Sequence, residues 1–385
     1  MGWIHDRPEW PRFTWDAAAL TSALADVRHR QGRHLGTMEA LGFDVRAETS
    51  VAALTDEVVR SSAIEGEHLD PREVRSSVAR RLGFDSGGRP SPSDGVEGAV
   101  AMTLDATRNF DAPLTAERLH GWHAALFPTG RSGMTRITVG AWRTDAAGPM
   151  QVVSGPVGRE RVHFQAPGAT RLDFEMQRFL DWFATTDLDP VLKAGVAHFW
   201  FVTVHPFDDG NGRIGRAVAD MALAQADGTK ERFYSMSKGI AARRAAYYRQ
   251  LEAAQRDGLD ITLWLRWFLD CLGETIRDAG TQLDAALDKA RLRQRILRHP
   301  LNERQRGVVD LLLDDFQGHL TTSKYAKLAK CSNDTALRDI RDLLACAVIV
   351  RNPGGGRSTS YRIAEGAERG GSPASGLPRR KSTID

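Results

Sequence analysis

Residues 205–216 read His205-Pro206-Phe207-Asp208-Asp209-Gly210-Asn211-Gly212-Arg213-Ile214-Gly215-Arg216. This stretch joins two helical segments. One starts at Pro190 and carries Val196, Phe199 and Val202 into it; the other runs on from Arg216 through Ala224. Gly210 and Gly212 let the backbone turn its N–H groups inward with no Cβ in the way. Those N–H groups then stand at a helix N-terminus, where the macrodipole favours an anion. Arg213 and Arg216 are three residues apart, so both guanidinium groups reach one face and can grip phosphate oxygens in forked geometry. His205 is a candidate base, since an imidazole with pKa near ~6.5 is matched to taking a proton from a hydroxyl. Asp209 is a candidate metal ligand. The conjunction reads as a site that handles a polyphosphate.

The rest of the composition narrows the class. The chain has 385 residues, 42% hydrophobic and 26% charged, which is the make-up of a soluble globular protein with room for two or three domains. Its 52 basic and 49 acidic residues are too balanced to argue for nucleic acid. Cys271, Cys331 and Cys346 are scattered and odd in number, which suits a reducing cytoplasm and gives neither a disulfide framework nor a zinc site. Neither a signal peptide nor a membrane span is visible.

The 205–216 segment resembles the signature of the Fic family, H-P-F-x-[D/E]-G-N-G-R-x-x-R, at every fixed position. The resemblance implies a mainly α fold: a Fic-type helical core with a β-hairpin flap, an N-terminal helical domain and a C-terminal winged helix. It implies an enzyme that moves AMP from ATP to a Tyr, Thr or Ser hydroxyl of a target protein, or of itself, with release of pyrophosphate. By position, His205 is then the base that deprotonates the target hydroxyl, and Phe207 is buried and holds the loop. Asp209 binds Mg²⁺ on the α- and β-phosphates, while Gly210, Asn211 and Gly212 cradle the phosphates. Arg213 and Arg216 hold the β- and γ-phosphates. The related Doc kinases carry Ala and Lys in place of Gly210 and Gly212, so AMP transfer is the reading implied rather than phosphate transfer.

A second element lies upstream. Ser61-Ser62-Ala63-Ile64-Glu65-Gly66 resembles the family's inhibitory pattern [S/T]-x-x-x-E-[G/N], whose glutamate pairs with the second arginine of the signature, here Arg216. The same glutamate could instead place water for removal of AMP, so a de-AMPylating hydrolase at the same site stays open, as does a nucleotide-sensing DNA-binding regulator. Between Gly140 and Pro167, Met150-Gln151-Val152-Val153 and Arg161-Val162-His163-Phe164 read as a hairpin. In the family such a flap pairs with the target backbone, which marks Val152, Val153 and Ser154 as flap residues. Tyr247, Tyr248 and Gln255 sit on one helix and resemble the adenine-side positions, with Gln255 where some relatives carry Asn.

Helical spacing is clear at Leu20–Val45, Ser50–Ile64, Arg72–Leu82, Val96–Phe110, Thr115–Leu126, Arg243–Gln255 and Thr262–Leu297. Trp3-Ile4-His5-Asp6-Arg7-Pro8-Glu9-Trp10 opens a segment that resembles the N-terminal domain of many bacterial Fic proteins. His120 and His123 read as core residues near Trp122, because no third ligand has a metal's spacing, and His198, seven residues before His205 on the same helix face, reads as a satisfied structural residue. The expected division is an N-terminal domain to residue 95, with Asp85–Gly95 as linker, then a Fic core over 96–298. A winged helix-turn-helix over 299–364 and a disordered tail over 365–385 follow. In the winged module, residues 332–345 take the recognition-helix position. Arg338 and Arg341 there favour DNA, as do Arg351 and Arg357 on the wing, whereas Asp334, Asp339 and Asp342 oppose it. The partners to weigh are a hydroxyl-bearing protein target, the chain itself, a homodimer, and DNA or a docking protein at the winged helix; a membrane is not indicated.

Overall fold

The computed structural model describes residues 2–84, 92–146, 148–155, 159, 161–313, 318–353 and 359–364. Most of the expected Asp85–Gly95 linker, the glycine turn at 354–356 with Arg357, and the tail from 365 lie outside the described residues. Two compact units emerge, Met1–Gly280 and Thr281–Asp385. The described elements are helices joined to three two-stranded antiparallel ribbons.

In the first unit, α1 (Ala17–Glu39), α2 (Phe43–Ile64) and α3 (Pro71–Arg81) are followed by α4 (Asp94–Arg108) and α5 (Ala116–Leu126). The ribbons β1 (Arg131–Ser132) with β2 (Thr135–Arg136), and β3 (Gln151–Ser154) with β4 (Arg161–Gln165), come next. Then come α6 (Leu172–Thr185), α7 (Pro190–Val204), α8 (Asn211–Asp227), α9 (Met236–Ala242), α10 (Arg244–Asp257) and α11 (Thr262–Leu297). Helix α7 is apolar all round, which is the pattern of a helix with no solvent face. From Val191 to Val204 nearly every residue is buried, and α8 packs antiparallel against it as the other half of a buried hairpin.

The described residues of the first unit share one core, to which the N-terminal helices contribute. The cause lies in α2, which buries Val51, Leu54, Val58 and Ile64 at helical spacing and packs on α9 and α8. The single helix expected over Leu20–Val45 is broken at Ala40–Gly42. Gly42 takes the N-cap of α2, and a glycine inside a helix costs about 1 kcal/mol relative to alanine. Helix α6 was not foreseen, although Leu172, Met176, Phe179, Leu180 and Phe183 repeat at helical spacing and are all buried.

The expected hairpin is present. Its register pairs Val152 with Phe164 and Ser154 with Arg161, with an irregularity between Val152 and Val153. The second unit contains α12 (Glu303–Leu313), α13 (Thr322–Leu328), α14 (Asn333–Ala345) and the ribbon of β5 (Ile349–Arg351) with β6 (Tyr361–Ile363). Val308, Leu320, Tyr325, Ile340, Leu343 and Ile349 make its own core. Among the described residues, no helix is long and apolar enough to cross a membrane.

Candidate active site

The site forms where α7 ends and α8 begins. His205 closes α7 with its backbone in the left-handed region, at φ +52° and ψ +59°, a conformation that non-glycine residues avoid. Three contacts hold it there. Its N–H still donates to Phe201 O at 3.0 Å, its carbonyl accepts from Arg143 Nε at 2.8 Å, and the next carbonyl, Pro206, accepts from the Arg143 N–H at 2.9 Å. The Arg143 side chain is fully enclosed and also donates to Asp145 and to the Pro167 carbonyl. It therefore clasps the signature loop to both ends of the segment that bears the β3–β4 hairpin.

His205 Nδ1 lies 3.2 Å from the Val202 carbonyl. A carbonyl only accepts, so the hydrogen bond puts the proton on Nδ1 and leaves the lone pair on Nε2. Burial pushes the imidazole down to about 4, with Arg143 adding to the effect and the Val202 bond, Glu65 and Asp209 opposing it. The ring is therefore neutral at physiological pH.

The turn that follows is braced from within. The Asn211 side chain accepts from Phe207 N at 2.9 Å and donates to Phe207 O at 2.8 Å, so the amide expected in the phosphate cradle is spent on the loop itself. Phe207 is fully buried, its ring stacked on His123 at 4.2 Å and 5°. His123 in turn donates from Nε2 to Asp209 O at 3.1 Å and accepts from Gly140 N at 3.2 Å. Gly210, at φ +82°, reverses the chain into α8, where a side chain would also meet Phe127 at 2.9 Å. The first N–H groups of α8, at Asn211, Gly212 and Arg213, have no partner within the helix. Asp209 is half-buried, with its carboxylate held by Ser132 Oγ and the Gly210 N–H. Asp208, which the sequence left without a task, accepts from Thr138 N at 2.8 Å.

Both arginines are buried and both are engaged. Arg216 donates from Nη1 to Glu65 at 2.8 Å, from Nε to Ser61 Oγ at 2.9 Å and from Nη2 to the Ser61 carbonyl at 2.8 Å. The Glu65 carboxylate lies over Gly212, with Oε1 1.9 Å from where a β-carbon on that residue would stand. It thus occupies the anion-favouring mouth of α8. Helix α2 stops just before Glu65, and Gly66 turns the chain at φ +87°. The turn brings Glu67 back onto Arg213 Nη1, an ion pair that the sequence reading did not include.

The adenine-side candidates are placed as follows. Tyr247 is buried, with its hydroxyl 2.8 Å from His198 Nε2, and buried Gln255 donates to Thr203 Oγ1 at 3.2 Å. Tyr248 is 38% exposed and its hydroxyl donates to the Ile64 carbonyl at 3.3 Å, next to Glu65. His120 packs on Trp142 at 4.2 Å. Across the described residues no cluster of three or more His, Cys, Asp or Glu could hold a metal by itself. Arg143, Ser132 and Glu67 are the site residues that the sequence reading passed over, since each arrives from a segment far from the signature, and His123, read there as structural, packs under the loop on Phe207.

Residues 113–223 match the Fic/DOC family, and residues 3–84 match a domain of unknown function (DUF4172). The protein adenylyltransferase Fic of Drosophila willistoni is 34% identical over 113 residues, 29% of this chain and 21% of that protein. Its counterpart in Drosophila grimshawi is 34% identical over 113 residues, covering 29% of this chain and 22% of that protein. The chain thus spans about a fifth of the length of these relatives. The crystal structure of a Fic family protein from Desulfovibrio desulfuricans G20 superposes over 93% of this chain and 99% of that one, with a TM-score of 0.55 and 23% identity. The fold is therefore that of Fic proteins, and the segment 113–223, which carries the His205–Arg216 loop, is a Fic/DOC family domain.

Proposed function

We propose that the chain transfers AMP from ATP to a hydroxyl side chain of a protein, and that in the present conformation Glu65 and Glu67 hold it closed. One observation carries the reading. A neutral imidazole with a free Nε2 stands beside a helix N-terminus whose anion position is taken by a carboxylate paired to a buried arginine. The carboxylate oxygens of Glu65 stand in for phosphate oxygens.

In the reaction, the target hydroxyl oxygen attacks the α-phosphorus of ATP. The bond from that phosphorus to the bridging oxygen breaks, and pyrophosphate leaves. His205 Nε2 receives the hydroxyl proton, a role worth ~10²–10⁴ in rate. The N–H groups at Asn211, Gly212 and Arg213, with the Arg213 and Arg216 guanidinium groups, hold the phosphates and offset their charge. Mg²⁺ commonly takes one or two carboxylates and completes its shell with phosphate oxygens and water, so the single Asp209 carboxylate fits it. There it would supply charge neutralisation on the phosphates. The β3–β4 hairpin, through Val152, Val153 and Ser154, offers an edge for the target backbone.

The test is incubation of the purified full chain with labelled ATP, Mg²⁺ and cell lysate, for wild type, Glu65→Gly and His205→Ala. Label on protein that rises with Glu65→Gly and vanishes with His205→Ala supports the reading. Label that is insensitive to His205→Ala removes it.

A further inference from the structure

We propose that the C-terminal unit binds double-stranded DNA, with α14 lying in the major groove. The inference is independent of the transfer reaction. Helices α13 and α14 are joined by the short turn 329–332, and Lys330 in that turn adopts a left-handed backbone at φ +49°. Ser332 caps α14 by accepting from Thr335 N at 3.2 Å. A helix, a tight turn and a second helix followed by a two-stranded ribbon is the arrangement that presents one helix to a groove.

The charge argument turns on Asp339. Read from the sequence, it is one of three acids that oppose a polyanion. In the structure it is 3% exposed and belongs to the inner face of α14, with Ala336, Ile340 and Leu343. Its carboxylate accepts from Asn302 at 3.1 Å, Arg304 at 3.1 Å and the Tyr325 hydroxyl at 3.2 Å, so it fastens α14 to the unit's core and puts no charge on the outer face.

The outer face of α14 carries Arg338 and Arg341, three residues apart and both exposed, with Asp334 and Asp342 as its acids. Exposed Lys327 and Lys330 precede it, and exposed Arg351 lies on β5. Among these exposed residues, cations outnumber acids five to two. By contrast Glu303 and Asp310 lie on α12. Residues 299–364 as a whole hold ten Lys and Arg against seven Asp and Glu, which equals the entire formal excess of +3 of the chain. Exposed Leu337 sits beside Arg338 and can meet a thymine methyl group.

The partner this fits is duplex DNA, recognised first through its phosphates. If three to five of these cations each neutralise a phosphate, log K should fall with log salt at a slope of about −2.7 to −4.5. The experiment uses the full chain and a labelled mixed-sequence duplex of roughly three helical turns, followed by fluorescence anisotropy between 50 and 200 mM salt. Arg338→Glu with Arg341→Glu should weaken binding at least tenfold and flatten the slope by about 2, one unit for each lost phosphate contact. Both residues are exposed, and an unchanged melting profile verifies that the unit stays folded. Arg12→Glu, at an exposed position of the first unit, should bind as wild type does. Absence of binding at 50 mM salt overturns the proposal. Binding that survives the double reversal, or that Arg12→Glu weakens equally, overturns it too.

Discussion

Replacing Glu65 by glycine should raise AMP transfer by about 30- to 150-fold. The magnitude follows from what Arg216 stands to lose. Its side chain is 2% exposed, and it makes three donations, two to Ser61 and one charge-assisted bond to Glu65 at 2.8 Å. Glu65 is 30% exposed, so the pair is screened on one side and falls between a surface ion pair and a fully buried one. A hydrogen bond to a charged group contributes about 1.5–3 kcal/mol, and the upper half of that range suits a cation so enclosed. Some 2–3 kcal/mol converts to the stated factor at about 1.4 kcal/mol per tenfold. The two Ser61 contacts survive the substitution, so Arg216 stays aimed at the site. The assay is incorporation of labelled AMP into the chain and into lysate proteins, with His205→Ala as the blank and release of AMP from a modified target followed in parallel. A Glu65→Gly protein no faster than wild type would refute auto-inhibition by this pair. Loss of AMP release with no gain in transfer would assign Glu65 to hydrolysis.

The neighbouring pair should matter less: Glu67 is 43% exposed, its contact with Arg213 is worth at most about 1 kcal/mol, and Glu67→Gln should give a gain of fivefold or less. A gain as large as that of Glu65→Gly would show that the two pairs have been ranked wrongly. His205→Ala should lower transfer by ~10² or more while ATP binding, read by calorimetry, persists. Because burial holds the His205 imidazole down to about 4, the base form survives as pH falls through 6.5 and is lost only well below it. The acid limb of transfer by Glu65→Gly should therefore lie below pH 6, and a limb near 6.5 would contradict the enclosed geometry. Asp209→Ala should abolish the response to added Mg²⁺, whereas Asp208→Ala should keep that response and lose about 1 kcal/mol of stability with the Thr138 bond. The reverse pattern in a Mg²⁺ titration and a melting curve would displace the metal assignment by one residue.

The parts of the site that could be read from the sequence are those in which neighbours in the chain are neighbours in space. The signature loop is one such run, since a turn and a helix start are set by local glycines, whereas the pairing of Glu65 with Arg216, distant in the chain, was implied only by the family resemblance. Arg143, Ser132 and His123 act through backbone carbonyls or one carboxylate oxygen from other segments, and nothing in their local sequence announces such bonds. Asp339 was counted with Asp334 and Asp342 as an acid opposing DNA, although the helical wheel sets it beside Ala336, Leu343 and Ile340 at the margin of the apolar face of α14, where it is buried. The helical character of Tyr247 and Gln255 was equally plain, yet which way they face was not. Tyr247 turns its hydroxyl to His198 and Gln255 its amide to Thr203, while the adjacent Tyr248 reaches the end of α2.

How the site opens follows from where α2 is fastened. Val51, Leu54 and Val58 are each at most 3% exposed, and uncovering such a side chain costs about 1.5–3 kcal/mol. Glu57, in the same stretch, accepts from Ser235 Oγ at 2.8 Å and Ser237 N at 3.0 Å, which ties the helix to the start of α9. Lifting α2 away would forfeit all of these, several times what the Glu65–Arg216 pair contributes. Beyond Ile64, by contrast, the chain has left the helix, Gly66 is already in a left-handed turn, and the Glu65 side chain is partly in water. The cheaper route is rotation of Glu65 off Gly212 with α2 in place. On the proposed reading, ATP then displaces one carboxylate rather than a helix, and removing that carboxylate should speed transfer without loosening the fold.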